Sequence, residues 1–391
     1  MATSTAPKSL LRPMTFPRKL LLGPGPSNMS PRVAAACALP LLGHMHPEFV
    51  QIMDEVKEGI QYIFQTNNSL TLAISGTGHA AMEAACCNLL EPGDVILVAW
   101  NGTWGERFSD MAARNGADVR IVKKPAGSVF SPQEIEKAVT EHGPRVVYLT
   151  HGESSGGTLQ PLDGMGVVCR RHGCLLVVDA VASIGGAPLY MDKWGIDVLY
   201  TGAQKVLSCP PGASPISFSA AAESKMAARR KKPVSFYLDM GWLANYWGCD
   251  GQPRRYHHTA PISNLYALRE GLAILAEEGL EDCWRRHRRC AELLHAGLED
   301  MGLTLFVDRP EHRLPTVTPV RVPTGIDWKE VSQYVMKHYK VELSGGLGET
   351  ANEVWRIGLM GHNATPDNVR LLLRALKEGI DHCRSKVHSS L

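Results

Sequence analysis

The chain has 391 residues, room for a large core and roughly two domains, with 44% hydrophobic residues and a formal net charge of +2. That balance gives no electrostatic case for a nucleic-acid partner, and no apolar run approaches the ~20 residues that span a bilayer. The ten cysteines are scattered, with no C-x-x-C pair and no Cys/His cluster at metal spacing, so they read as reduced thiols.

Before Glu48 there is no acidic residue, whereas Lys8, Arg12, Arg18, Lys19 and Arg32 are basic. The composition resembles a mitochondrial transit peptide, but Pro7, Pro13 and Pro17 break the helix such a peptide needs. An extended arm over residues 1–20, lying on a partner subunit, explains the same residues. Leu20–Leu22 then runs into Gly23-Pro24-Gly25-Pro26, a rigid loop that either brings backbone close to a ligand or simply turns the chain into its first domain. The run Leu70–Ile74 predicts a strand, followed by Ser75-Gly76-Thr77-Gly78-His79 and a helix-like stretch from Ala80. Strand, glycine turn and helix start together offer free backbone N–H groups to a phosphate, although the turn is neither a Walker loop nor G-x-G-x-x-G.

The same alternation continues. Val95–Ala99 predicts a strand that ends before Asn101-Gly102-Thr103-Trp104, where the indole either stacks on a planar ring or packs in the core. Ala117–Val122 predicts a strand, Ser131 with Glu134 a capping box, and Val146–Thr150 a strand that ends in His151–Gly157. Leu175–Val178 ends on Asp179, and Val198–Tyr200 leads through Thr201–Gln204 to Lys205. Short apolar runs bounded by turn residues read as buried parallel strands, so a mostly parallel, doubly wound α/β sheet is expected. Ligands gather at the carboxyl ends of such strands, so Asp179 and Lys205 meet in one crevice. A buried acid and a buried base cost desolvation unless something charged lies between them. Pyridoxal phosphate meets that description, with Lys205 joined to its aldehyde and Asp179 paired with its ring nitrogen; a structural ion pair is the other reading.

Beyond Lys205 the pattern changes. Pro215–Phe218 predicts one more strand, and Tyr256-His257-His258-Thr259 lies in an aromatic loop with no third ligand for a metal. From Gly279 a small α+β unit is expected, with a helix over Trp284–Met301, strands at Thr304–Val307 and Thr316–Val320, and helices over Trp328–His338 and Pro366–Cys383. The expected organisation is an arm (1–20), a large domain (21–278) and a small domain (279–391). Within the last, Arg356 sits in an apolar, strand-like setting, where its fork either grips a carboxylate or snorkels from a sheet edge. The tail Ser389-Ser390-Leu391 is similar to the Ser-Lys-Leu peroxisomal address without its lysine, which favours a peroxisome over a mitochondrion.

In combination the motifs LLGPGPSN (21–28), SGTGHAAMEA (75–84), THGESS (150–155), VVDAVAS (177–183), GAQKVL (202–207), YHHT (256–259) and WRIGLMG (355–361) resemble the alanine–glyoxylate (serine–pyruvate) branch of the class V, fold-type I pyridoxal-phosphate aminotransferases. The resemblance implies that Lys205 carries the cofactor and shuttles a proton, and that Asp179 keeps the pyridine nitrogen protonated. It puts Trp104 and Val181 on the two ring faces and Ser154 on the phenolic oxygen and near the substrate. Thr77 (serine in family members), Gly78, His79 and Gln204 would hold the phosphate, with Tyr256 and Thr259 reaching it from the neighbouring subunit of a homodimer. Arg356 would bind the substrate carboxylate, with Gly25 and Gly346 shaping a small side-chain pocket. The implied reaction is ping-pong transfer from L-alanine or L-serine to glyoxylate, leaving pyruvate or hydroxypyruvate and glycine; a 3-hydroxykynurenine or kynurenine donor is the alternative. A desulfurase-like enzyme would need a reactive cysteine on an exposed glycine-rich loop, and none of the ten has that context.

Overall fold

The structure, a computed structural model, describes residues 4–389. After strand β1 (Leu20–Leu21) and helices α1 (Pro31–Cys37) and α2 (Pro47–Phe64), strand and helix alternate: β2 (Leu70–Gly76), α3 (Gly78–Leu89), β3 (Val95–Trp100), α4 (Thr103–Arg114), β4 (Asp118–Lys123), α5 (Pro132–His142) and β5 (Val146–Thr150). A small antiparallel pair, β6 (Gly152–Glu153) and β7 (Thr158–Leu159), precedes α6 (Met165–Arg171), β8 (Leu175–Asp179), α7 (Met191–Trp194), β9 (Val198–Tyr200) and β10 (Gly212–Phe218).

Seven of these strands form one sheet in the order β2-β10-β9-β8-β5-β3-β4. β10 runs against both of its neighbours, and every other pairing is parallel. All residues of β5 and β9 are buried, which is why these strands read as unbroken apolar runs rather than alternating ones. β4 closes one side with half-exposed residues, among them the Arg120–Asp118 pair, and charge there blunts a free edge. Registers put Thr150 opposite Asp179 and Asp179 opposite Tyr200, so the central strands stop at one level and open a crevice at their carboxyl ends.

Helices α8 (Ala220–Ala227), α9 (Met240–Tyr246) and α10 (Ile262–Glu278) cover this sheet before α11 (Leu280–Asp300) leads into a second unit. It holds β11 (Val317–Arg321), α12 (Trp328–Tyr339), β12 (Val341–Glu342), β13 (Ser344–Gly345), β14 (Val354–Gly358) and α13 (Pro366–Ser389), with an antiparallel sheet ordered β11-β14-β13. There are two main apolar cores. One runs from Val33 to Trp284 and includes Met360; the other takes Cys290 to Cys383 and also Leu22. Leu22 reaches the second core because β1 pairs in parallel with β12.

Two expectations are corrected. Thr304–Val307 makes only an isolated bridge, Leu305 to Val320. Arg321 N–H donates to Thr304 O and Phe306 N–H to Pro319 O, but Pro319 has no N–H to return and the ladder stops. The helix expected from Trp284 begins at Leu280, where Glu281 and Asp282 favour the positive end of its dipole. Of the tail motif, Ser390 and Leu391 lie outside the described residues.

Candidate active site

Asp179 ends β8 and is 2% exposed. Its Oδ1 accepts from Val181 N–H at 2.8 Å and its Oδ2 from the Tyr200 hydroxyl at 3.0 Å. Burial pushes its carboxyl up to about 6, opposed by those two donors and by Lys205. Tyr200 in turn lies 3.5 Å from the Tyr148 hydroxyl, and Tyr148 3.2 Å from Thr150 Oγ1, so a short hydroxyl chain backs the acid.

Lys205 lies in the loop after β9, and its Nζ donates to Pro24 O. Burial brings the amine down to about 8, with Arg356 adding to the effect and Asp179 and Glu342 opposing it. An amine near that value is readily neutral, as a nucleophile or proton carrier must be. In the Gly-Pro loop the backbone comes close to Lys205: the φ of Gly25 is +108°, and a Cβ there would meet Lys205 Nζ at 2.5 Å.

A cleft at the sheet's carboxyl edge is lined by Gly78, His79, Trp104, Ser154, Asp179, Val181, Gln204 and Lys205. The indole of Trp104 is fixed from two sides, donating from Nε1 to Ser154 Oγ at 2.9 Å and meeting the His79 ring edge-on at 5.6 Å. Thr77 is the exposed N-cap residue of α3, and no side chain accepts from the first turn of that helix. The Gln204 amide oxygen is buried without a partner. Turning that amide by half a rotation presents its NH₂ instead, so an anion at the start of α3 would satisfy both.

Arg356, in β14, is 9% exposed. It donates from Nε to Gly345 O at 2.8 Å and from Nη1 to Ser154 O at 3.3 Å, which leaves Nη2 for a carboxylate. Gly346 sits where a Cβ would run into Thr350 O. Tyr256 and Thr259 do not line the cleft of their own chain; Tyr256 is 56% exposed and lies against the His44 ring at 5.0 Å. Their loop is tied to the end of β2 by His258 Nε2 and Ser75 Oγ, 2.6 Å apart.

The arrangement joins a buried amine, a buried acid, a helix start without a side-chain cap and a buried guanidinium. The family model for class-V aminotransferases matches residues 34–372. The chain belongs to the class-V aminotransferases. It is 58% identical over 380 residues to an alanine–glyoxylate aminotransferase of Callithrix jacchus, covering 97% of this chain and 92% of that one. Identity to the protein of that name in Drosophila melanogaster is 50%, with 98% of each chain covered. The crystal structure of an alanine–glyoxylate aminotransferase from Nostoc sp. superposes with a TM-score of 0.93 at 47% identity, covering 96% of this chain and 100% of that one. This aminotransferase thus has the fold-type I architecture that its motifs imply, built on the mostly parallel sheet that its strand pattern predicts.

Three contributors were not singled out in the sequence. Pro24 acts through its carbonyl, which carries no side-chain signal. Tyr200 reads as one more apolar strand residue until the register sets it opposite Asp179. Glu153 lies inside the THGESS motif, yet only the fold reveals that it is fully buried.

Proposed function

We propose that this aminotransferase moves the amino group of L-alanine, or of L-serine, to glyoxylate, with pyridoxal phosphate as its cofactor and a homodimer as its working form. The observation that carries the reading is the meeting of Lys205, Asp179 and an uncapped helix start in one cleft, with the Arg356 fork held beside it through Ser154. The names and extensive coverage of the relatives support the donor and the acceptor.

The cleft residues fit the cofactor. The start of α3 and the Gln204 amide would hold its phosphate, Trp104 and Val181 would flank its ring, and Asp179 would hold a proton on the ring nitrogen. Pyridoxal phosphate supplies an aldehyde that takes up the amino group and a protonated ring that draws electrons from the substrate Cα. The remaining work falls to the chain. Lys205 takes the Cα proton and returns one on the other side of the transfer, a task its lowered basicity suits. Arg356 orients the α-carboxylate, and the absence of side chains at Gly25 and Gly346 leaves room for a small substituent. Glu342 lies near Lys205, and a negative charge there disfavours the second carboxylate of glutamate or aspartate. Tyr256 and Thr259, exposed and outside the lining of their own cleft, would reach the phosphate of a second copy.

The test offers L-alanine, L-serine, L-glutamate and 3-hydroxykynurenine, each with glyoxylate, to protein loaded with pyridoxal phosphate, and measures glycine. Glycine from alanine is expected; glycine from 3-hydroxykynurenine alone would overturn the donor assignment. Sedimentation gives the oligomeric state. A peroxisomal address, with a mitochondrial one as the alternative, is part of the proposal, and a fluorescent fusion that keeps the natural C-terminus tests it.

A further inference from the structure

Glu153 is 0% exposed, and among the described residues it makes no ion pair. A buried, unpaired carboxylate is costly, and its burial does push the group up to about 7. What compensates is a set of donors. Trp104 N–H donates to Oε2 at 3.1 Å, while Ser155 donates to Oε1 from its N–H at 2.9 Å and from its hydroxyl at 2.6 Å. The Ser155 hydroxyl also accepts from Thr103 N–H at 3.1 Å, which leaves its own proton for Glu153. Trp104 and Thr103 are the first residues of α4, and their N-cap is Gly102, which has no side chain to cap with. The helix is therefore capped by Glu153 of β6 and by Ser155 in the turn that follows, and a Cβ on Gly102 would run into the Glu153 carboxyl.

The network continues to the substrate side. Ser155 O accepts from Thr350 Oγ1 at 3.1 Å, and Thr350 Oγ1 accepts from Leu347 N–H at 3.1 Å, which fixes the loop that carries Gly346. Ser154, between Glu153 and Ser155, receives the Trp104 indole on its hydroxyl and Arg356 on its carbonyl.

We propose that Glu153 is a positioning residue that couples the two halves of the site, locking the Trp104 ring wall to the Ser154–Ser155 turn and, through Thr350, to the loop beside the Arg356 fork. This inference rests on the proposed function, because the ring wall matters only if a ring binds there.

The experiment is a double-mutant cycle read out as pyridoxal phosphate affinity, by visible absorption during titration of the apo-protein, with thermal unfolding of each apo-variant as a control for folding. Glu153→Gln keeps the shape but turns an NH₂ toward a backbone N–H, and should weaken affinity about tenfold; Thr350→Val, remote from the ring, should weaken it about threefold. The double variant should lose less than the two single losses multiplied, because Glu153→Gln already cuts one link between Thr350 and Trp104, while the Ser155–Thr103 and Ser154–indole bonds stay in place. If Glu153→Gln does not fold, Ser155→Ala takes its place in the same cycle, with the same expectation. Losses that multiply, or wild-type affinity in Glu153→Gln, overturn the coupling alone. A wild-type protein that takes up no pyridoxal phosphate overturns the proposed function and the coupling with it.

Discussion

Helices α3 and α4 begin alike and end their first turns differently. Each follows a strand of the same sheet, each has a glycine at its start (Gly78 as the first residue of α3, Gly102 as the N-cap of α4), and neither has its own N-cap side chain bonded to the first turn. At α4 the free N–H groups of Thr103 and Trp104 are taken by Ser155 and Glu153, so the dipole faces the protein's own carboxylate. At α3 no side chain answers, Thr77 is exposed, and a Gln204 amide atom nearby is orphaned. One helix start is filled and anchors a ring wall. The other is open, and an open N-terminus at the carboxyl edge of a parallel sheet is a place for an anion.

The largest effect asks whether α3 holds the cofactor without the covalent partner. Lys205→Ala should lower turnover by at least about 10⁴-fold, since proton carrier and anchor are both removed. It should still take up pyridoxal phosphate, as measured by equilibrium dialysis. Loss of uptake along with turnover would mean that the open helix start is not the main anchor.

Adding one methyl group to each glycine separates the two helices directly. Gly102→Ala should cost about 1–3 kcal/mol of apo-protein stability by overpacking the Glu153 carboxyl. In Gly78→Ala the new Cβ lies 3.3 Å from Val181 Cγ2, a mild contact, so stability should change by less than about 1 kcal/mol. Cofactor affinity should fall instead, about tenfold, since the methyl crowds the open N-terminus. Chemical denaturation and cofactor titration on both variants check the pair; a reversal of the two patterns would undo the comparison.

The two buried acids extend the contrast. Glu153 has a helix start to face, whereas Asp179 has neutral donors and Lys205. Its folded-state pKa of about 6 lies above the ordinary 3.8, so the folded apo-protein holds this proton more tightly than the unfolded chain does. The resulting stability is complete below about pH 4 and is lost as pH rises through about 6. Asp179→Asn removes that dependence, and the difference in unfolding free energy between variant and wild type should shift by about 1–3 kcal/mol between pH 4 and pH 7. Turnover should fall much further than stability changes. A pH-independent difference would mean that Asp179 is not held in the protonated form that its burial favours.

Part of this was legible in the sequence. β5, β8 and β9 are buried on both faces, so unbroken apolar runs ending in Thr150, Asp179 and the Lys205 loop marked both the sheet and the crevice. The start of α3 was legible because strand, glycine turn and helix are contiguous. The filled start of α4 was not: Glu153 lies 49 residues from the N–H it caps, and no local pattern links them. The Thr304–Val307 expectation failed because Pro319, on the opposing strand, withholds a donor that no single-segment pattern can register. Tyr256 and Thr259 are a third case, since the roles implied for them belong to an assembly of two chains.

The smallest effect is a shift in thermal midpoint on adding inorganic phosphate to the apo-protein. A ligand that binds only the folded state stabilises it by RT ln(1 + [L]/Kd), so phosphate at ten times its Kd should add about 1.4 kcal/mol, or about 2 °C for a chain of this size. Gly78→Ala should lose the shift, because its methyl crowds the α3 start, and Gly102→Ala should keep it, because α4 offers an anion no free N–H in its first two residues. Chloride at matched ionic strength controls for screening. A shift that survives in Gly78→Ala would move the anion site off α3; a shift lost in both variants would show that the two helix starts do not act separately.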